Sequence, residues 1–251
     1  MTPAATVRTL GALAASLVMA ASLLGQPSLV GVAEARRPPC PPEMARIGAY
    51  CIDRWEAYVV ELVGKKTRPH SPYMSVEGLT VRAVTRARAV PQAHISAVEA
   101  AGACKQAGKR LCTEHEFEAA CMGPKMNAWP YGAAHVAGVC NDTRRVSPLD
   151  VLFSALGPGR YEPEVMNDPR LNQVRGTLAR TGTHPRCTAG NGVYDLVGNL
   201  HEWTSDPEGT FRGGYYLDTK QNGEGCHYRT SAHHAKYRDY STGFRCCRDA
   251  R

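Results

Sequence analysis

The chain has 251 residues, 43% of them hydrophobic and 21% charged, which suits one domain of about 200–250 residues and excludes a collagen, a coiled coil or wholesale disorder. Thirty Lys and Arg against 23 Asp and Glu leave a formal charge of +7, too small an excess over this length to point to nucleic acid.

The first segment reads as an address. Arg8 precedes an apolar run from Leu10 to Leu24, and Ala33-Glu34-Ala35 supplies the small-x-small pattern of a signal-peptidase site. Fifteen apolar residues fall short of the roughly 20 a membrane-crossing helix needs. The expectation is therefore a signal peptide over residues 1–35, a mature chain from Arg36 onward, and a periplasmic or secreted location without a membrane span.

Export sets the meaning of the ten cysteines, Cys40, Cys51, Cys104, Cys112, Cys121, Cys140, Cys187, Cys226, Cys246 and Cys247, all downstream of the signal. None forms a C-x-x-C pair, so an even count in an oxidising compartment reads as a disulfide framework. Cys40 and Cys51 bracket a short Pro-rich segment and could close locally. Cys246 and Cys247 are adjacent, would face opposite ways in a strand, and so require different partners. Spacing leaves the remaining connectivity open.

Ile52–Val63 has the β-branched and aromatic content of a strand ending at Gly64. From Gly64 to Ala89 the chain carries six Lys and Arg against one Glu and reads as an irregular, solvated stretch. A helix follows: Ser96 with Glu99 makes a capping box, Ala97, Ala100, Ala101, Cys104 and Ala107 mark one face, and Gly108 stops it. A second capping box, Thr113 with Glu116, opens a helix that should bury Phe117, Ala120 and Cys121 and present Glu114 and Glu118 on another face. Residues 127–185 show no sustained periodicity, a length of loop that is commonly functional or stapled. Short strands are expected within 211–217 and 240–246. Two helices, several short strands and much ordered loop make an α+β domain rather than an alternating βαβ architecture.

The richest chemistry lies between Asn191 and Asp206. Asp195, Asn199, Glu202 and Asp206 place four oxygen-bearing side chains around Gly198. Hard cations such as calcium take six to eight oxygens from carboxylates and from carbonyls freed by non-helical backbone. A solvated turn with a capping Asp accounts equally well for the spacing alone, and the EF-hand order is absent.

Five blocks in order, Gly108-Lys-Arg-Leu-Cys-Thr-Glu-His-Glu-Phe-Glu-Ala-Ala120, Trp129-Pro-Tyr-Gly132, Gly192–Trp203, Arg212-Gly-Gly214 and Gly243-Phe-Arg245, resemble the GKRLPTEAEWE, YPWG, GLYDMVGNVWEW, RGGS and GFR blocks of the formylglycine-generating enzyme (sulfatase-modifying factor) family. The resemblance runs over about residues 41–247. It implies a single domain over residues 36–251 with a C-type-lectin-like variation, low in regular secondary structure. It also implies a calcium loop in which Asp195 and Glu202 give side-chain oxygens and Gly198 and Leu200 give carbonyls. Asn141 and Asp142 stand where a second calcium site would begin, with no later Asp that can be placed.

The active-site pattern departs from that family. Its copper(I) is held by two cysteines just after the RGGS block, and thiolate is the soft ligand copper(I) selects. Here Tyr215 replaces the serine, Asp218 stands at the first cysteine, Cys226 lies near the second, and His201 replaces the tryptophan before Glu202. Copper binding and formylglycine generation are expected to be lost. The leading reading is a calcium-stabilised binding or accessory module for a protein, peptide or glycan. The alternative is an extracytoplasmic metal-dependent oxidoreductase, similar to pyoverdine-maturation proteins, drawing on Cys226, His201, Asp218 and Tyr215 with His227, His233 and His234. A bridged Cys226 favours the first reading and a free thiol beside histidines the second.

Overall fold

The computed structural model describes residues 40–250, so the signal segment assigned to residues 1–35 lies outside the described residues. Strand β1 (Met44–Ile47) turns through Gly48 into β2 (Tyr50–Asp53), and β3 (Ala57–Val63) pairs antiparallel with β4 (Lys66–Pro69) and β5 (Val81–Thr85). The single strand expected over Ile52–Val63 is thus two strands in different sheets, separated at Arg54-Trp55-Glu56. A strand read from β-branched and aromatic content cannot report such a break, because composition does not say which sheet each half joins. The basic stretch after Gly64 is also more ordered than expected. It holds β4 and β5, with its charges on exposed positions while Val81 and Ala83 point inward.

Helix α1 (Ala97–Gln106) has the expected capping box: the Ser96 side chain accepts from Glu99 N–H, and the Glu99 carboxylate accepts from Ser96 N–H. It buries Ala97, Ala100, Ala103 and Cys104, whereas Ala101 is exposed. The buried stripe is centred on Ala100, and at about 100° per residue Ala101 sits on its rim. After β6 (Arg110–Leu111), helix α2 (Glu114–Met122) is capped by Thr113 and Glu116 and buries Phe117, Ala120 and Cys121 as expected. The non-periodic region contains two short helices, α3 (Pro148–Phe153) and α4 (Pro163–Met166), each opened by a proline whose missing N–H costs nothing at a helix start.

The remaining strands are β7 (His201–Trp203), β8 (Phe211–Arg212), β9 (Arg229–Thr230), β10 (Thr242–Phe244) and β11 (Cys246–Asp249). They complete sheets of order β1-β2-β11-β6 and β10-β7-β8-β9, in which β7 and β10 are parallel. One residue, Arg245, separates β10 from β11. There the chain leaves one sheet and enters another, and the Arg245 side chain is carried into the interior between them.

The two largest apolar cores among the described residues flank these sheets, with smaller clusters around Leu171 and Tyr216 and around Met44 and Cys51. Of the two largest, one, around Val59, Ile95, Ala100, Trp203 and Phe244, lies beneath α1. The other, around Ile52, Phe117, Trp129, Leu196 and Val197, lies beneath α2. Disulfides run through both: Cys104–Cys246 in the first, and Cys112–Cys247, Cys121–Cys226 and Cys140–Cys187 in the second. Cys40–Cys51 closes locally, and adjacent Cys246 and Cys247 take different partners as their alternation in β11 requires. All ten cysteines are bridged, in keeping with an oxidising extracytoplasmic compartment. Among the described residues no helix is long and apolar enough to cross a membrane.

Candidate functional site

The loop entering β7 is built from unusual backbone. Asp195, Gly198 and Asn199 all adopt left-handed conformations, with φ of 59°, 78° and 60°. At Gly198 a Cβ would lie 2.4 Å from the Asn141 carbonyl oxygen, so only glycine permits the strand-like bridge these two residues make. The structure therefore brings Asn141 against the predicted calcium loop. Its Nδ2 donates to the Thr177 carbonyl and to Asn199 Oδ1, both at 2.8 Å.

Asn199 is the hub. Its Oδ1 also accepts from Ala179 N–H at 2.9 Å, which fixes the amide orientation and aims Nδ2 at Glu56 Oε2, 2.6 Å away. Asp195 is buried, and its Oδ2 accepts from Gly182 N–H at 2.6 Å. Glu202 is buried as well, and each of its oxygens accepts from Arg245 at 2.6 Å. The same guanidinium donates to the carbonyls of Asp53 and Tyr194.

Glu56 was not singled out by the sequence, and neither was Arg245 beyond its place in the Gly-Phe-Arg block. Only the acid's position inside an apolar run hinted at Glu56. It is completely buried, and its Oε1 has no hydrogen-bond partner. Burial, followed by the neighbouring Asp195 and Glu202 charges, pushes its carboxyl well above the usual range. Burial likewise raises Asp195 to about 6 against the opposing Gly182 and Arg245 contributions. With the fourth buried acid, Asp53, neutralised by Lys109, three buried carboxylates face one guanidinium, an excess of two negative charges if all are ionised. An uncompensated buried charge is costly, so such an excess calls for protons or a cation. An orphaned carboxylate oxygen, an anionic surplus and non-helical backbone fit a hard divalent ion. Asp142, by contrast, turns to His135: its Oδ2 lies 2.8 Å from Nε2, and its Oδ1 is buried without a partner.

The residues proposed for catalysis are also brought near one another, but packed rather than open. His201 is buried among the rings of Phe211, Tyr215 and Tyr228, with centroids 4.4, 4.6 and 5.4 Å away. Burial, reinforced by His233, lowers its pKa to about 3, so the ring is neutral at ordinary pH, and its Nδ1 has no partner. Tyr215 and Asp218 close a two-residue hairpin through reciprocal backbone bonds of 2.8 and 3.0 Å. Asp218 Oδ1 accepts from the N–H groups of Lys220 and Gln221, while Oδ2 accepts from Tyr228 Oη at 2.9 Å. One oxygen is taken by the turn and the other by Tyr228.

Cys226 is buried in its bridge to Cys121 of α2 and has no thiolate to offer. Of the remaining histidines only His233 stays beside this cluster, stacked on Phe211 with centroids 5.7 Å apart. His227 pairs with Glu118, His233 stacks on Tyr237 at 3.8 Å, and exposed His234 accepts from Lys236 N–H. Among the described residues no three His, Cys, Asp or Glu side chains are grouped to hold a metal ion. Beside the Asp218 turn lies a cleft of about 260 Å³ lined by Leu217, Asp218, Lys220, His135, Arg144 and Arg145, among others.

The profile of the sulfatase-modifying factor enzyme 1-like domain matches residues 52–250. The chain belongs to this family. Its loop-rich α+β fold is the architecture described above. Formylglycine-generating enzymes of Mus musculus and Bos taurus are each 29% identical to it over 184 residues, covering 63% of this chain and 44% of theirs. The chain thus spans less than half the length of these relatives. Solved structures similar to it include PvdO from Pseudomonas aeruginosa, with TM-score 0.45, 15% identity and 80% of each chain covered. The P3c variant of the Major Tropism Determinant has TM-score 0.46 and 14% identity, covering 83% of this chain and 53% of that one.

Proposed function

We propose that this protein is an exported sulfatase-modifying-factor-type domain that acts as a calcium-stabilised binding or accessory module and does not generate formylglycine through copper(I). The observation that carries this reading is the state of the sulfur and of its neighbour. Every cysteine is bridged, and Asp218, at the position of the family's first copper cysteine, has both carboxylate oxygens taken by its own turn and Tyr228. Copper(I) selects soft thiolates, and none remains. Phe211, Tyr215 and Tyr228 pack around buried His201, so its imidazole is enclosed by rings rather than presented to a ligand.

What the fold offers instead is a rigid surface. Disulfides hold the loops, and the cleft beside Leu217–Lys220 presents cationic Arg144, Arg145 and Lys220 to a protein, peptide or glycan ligand carrying negative charge. Calcium would be held by the Asp195 loop and its carbonyls, supplying the countercharge the buried carboxylates lack. This chain's own residues shape that site: Asn199 orients Glu56, Asn141 orients Asn199, and Arg245 neutralises Glu202.

The test is incubation of the purified protein with copper(I), dioxygen and a Cys-x-Pro-x-Arg peptide, read by mass spectrometry. The peptide should be recovered with its thiol and no aldehyde. Catalytic turnover of that thiol to formylglycine would overturn the reading.

A further inference from the structure

The buried charges around Arg245 do not balance, and the imbalance is localised. Glu202 is satisfied on both oxygens by Arg245. Asp195 is satisfied on one oxygen by Gly182 N–H. Glu56 is satisfied only on Oε2, because the amide of Asn199 is locked by Ala179 and Asn141 and presents a single donor to it. Oε1 is buried with no protein hydrogen-bond partner among the described residues.

Protonating Glu56 does not cure this. The bare acceptor becomes an O–H in need of an acceptor, and of the charged groups that act on it, Asp195, Glu202 and Arg245, the guanidinium cannot accept and Glu202 is already taken up by Arg245. A proton shared with Asp195 would still leave one negative charge unbalanced. A divalent cation brings the sum of three carboxylates and one guanidinium to zero.

We infer that Glu56 is a ligand of a calcium-type cation in this chain, its Oε1 and the Asp195 carboxylate forming the anionic side of a shell completed by loop carbonyls, while Glu202 serves Arg245 instead. The inference rests on the calcium reading above and changes its ligand set. It also accounts for the broken strand. The Arg54-Trp55-Glu56 segment between β2 and β3 is where the chain changes sheet, and the break carries Glu56 into the interior beneath the Asp195–Asn199 loop. Two carboxylates with carbonyl oxygens suit a hard ion. A softer transition metal would need grouped His or Cys ligands, which the described residues do not provide.

Trp55 provides the readout. Its ring stacks on Tyr194 with centroids 6.2 Å apart, and these two residues precede Glu56 and Asp195 in the chain. Terbium(III) bound there should be sensitised by indole excitation. The purified protein is stripped with a chelator, then titrated with calcium by calorimetry and thermal melting and with terbium by luminescence. It is compared with Glu56→Gln, which keeps the shape and the bond to Asn199 while removing the charge.

Wild type should bind calcium, melt higher with it and sensitise terbium. Glu56→Gln should bind at least tenfold more weakly and, when metal-free, melt at or above the metal-free wild type. Equal calcium affinity in both proteins would overturn the role of Glu56 while leaving the calcium reading standing. No response of the wild type to either ion would overturn both. Should Glu56→Gln fail to fold, Glu56→Asp decides the matter in the same assays, since retracting the carboxylate by one methylene should weaken binding and an unchanged affinity would refute the assignment.

Discussion

Replacing Asp218 by alanine and Tyr228 by phenylalanine, singly and together, asks whether Asp218 is a structural turn residue or a free carboxylate facing a ligand. The Asp218→Ala change removes an acceptor for three donors: Lys220 N–H, Gln221 N–H and Tyr228 Oη. The first two belong to exposed residues that water can satisfy, so they contribute about 0.5 kcal/mol each. The Tyr228 hydroxyl donates to an ionised group from a buried ring, worth about 1.5 kcal/mol or somewhat more. The expected destabilisation is about 2–3 kcal/mol for Asp218→Ala, and about 1.5–2 kcal/mol for Tyr228→Phe, which also loses Asn222 as a donor. The double variant should fall short of the sum by about 1–2 kcal/mol, the coupling of the shared bond. Urea unfolding at pH 7 with disulfides intact measures all four corners. A coupling below about 0.5 kcal/mol, or an Asp218→Ala protein as stable as wild type, would refute the structural assignment and return Asp218 to the list of ligand-binding groups.

The disulfides should differ in worth with the loop they close. Cys40–Cys51 spans 11 residues and Cys140–Cys187 spans 47, and no other bridge shortens either loop, so chain entropy predicts losses of about 3 and about 4 kcal/mol on replacing each pair by alanine, read by the same denaturation. Equal losses would show that the long-range bridge acts by something other than loop closure. His94 offers a pH test. Its Nε2 is buried without a partner, and burial lowers its pKa against the opposing Asp239, Asn167 and Asp168. A histidine depressed in the folded state contributes stability that is present above about pH 6.5 and declines as the pH falls below it. His94→Asn, which tolerates the local φ of 54°, should therefore lose less stability than wild type between pH 7 and pH 5. An identical loss would mean that His94 does not carry the acid sensitivity.

The family blocks, both capping boxes, the oxidised state of the cysteines and the different partners of Cys246 and Cys247 were legible in the residues. Each is a local signal: a capping box is four residues long, and a period of two decides which way neighbours in a strand point. Ala101 and the undivided Ile52–Val63 strand misled because they depend on what the element packs against.

The site divides along the same line. Sequence placed Asp195, Asn199 and Glu202 in one oxygen-rich loop and saw that Asp218 stands where a thiolate would be needed. Only the tertiary structure decided which carboxylate is satisfied and which is not. Arg245 reaches Glu202 because β10 and β11 lie in different sheets, and Glu56 reaches Asn199 from 143 positions away. Charge compensation in an interior is set by distances and desolvation, and neither is written in the order of the residues.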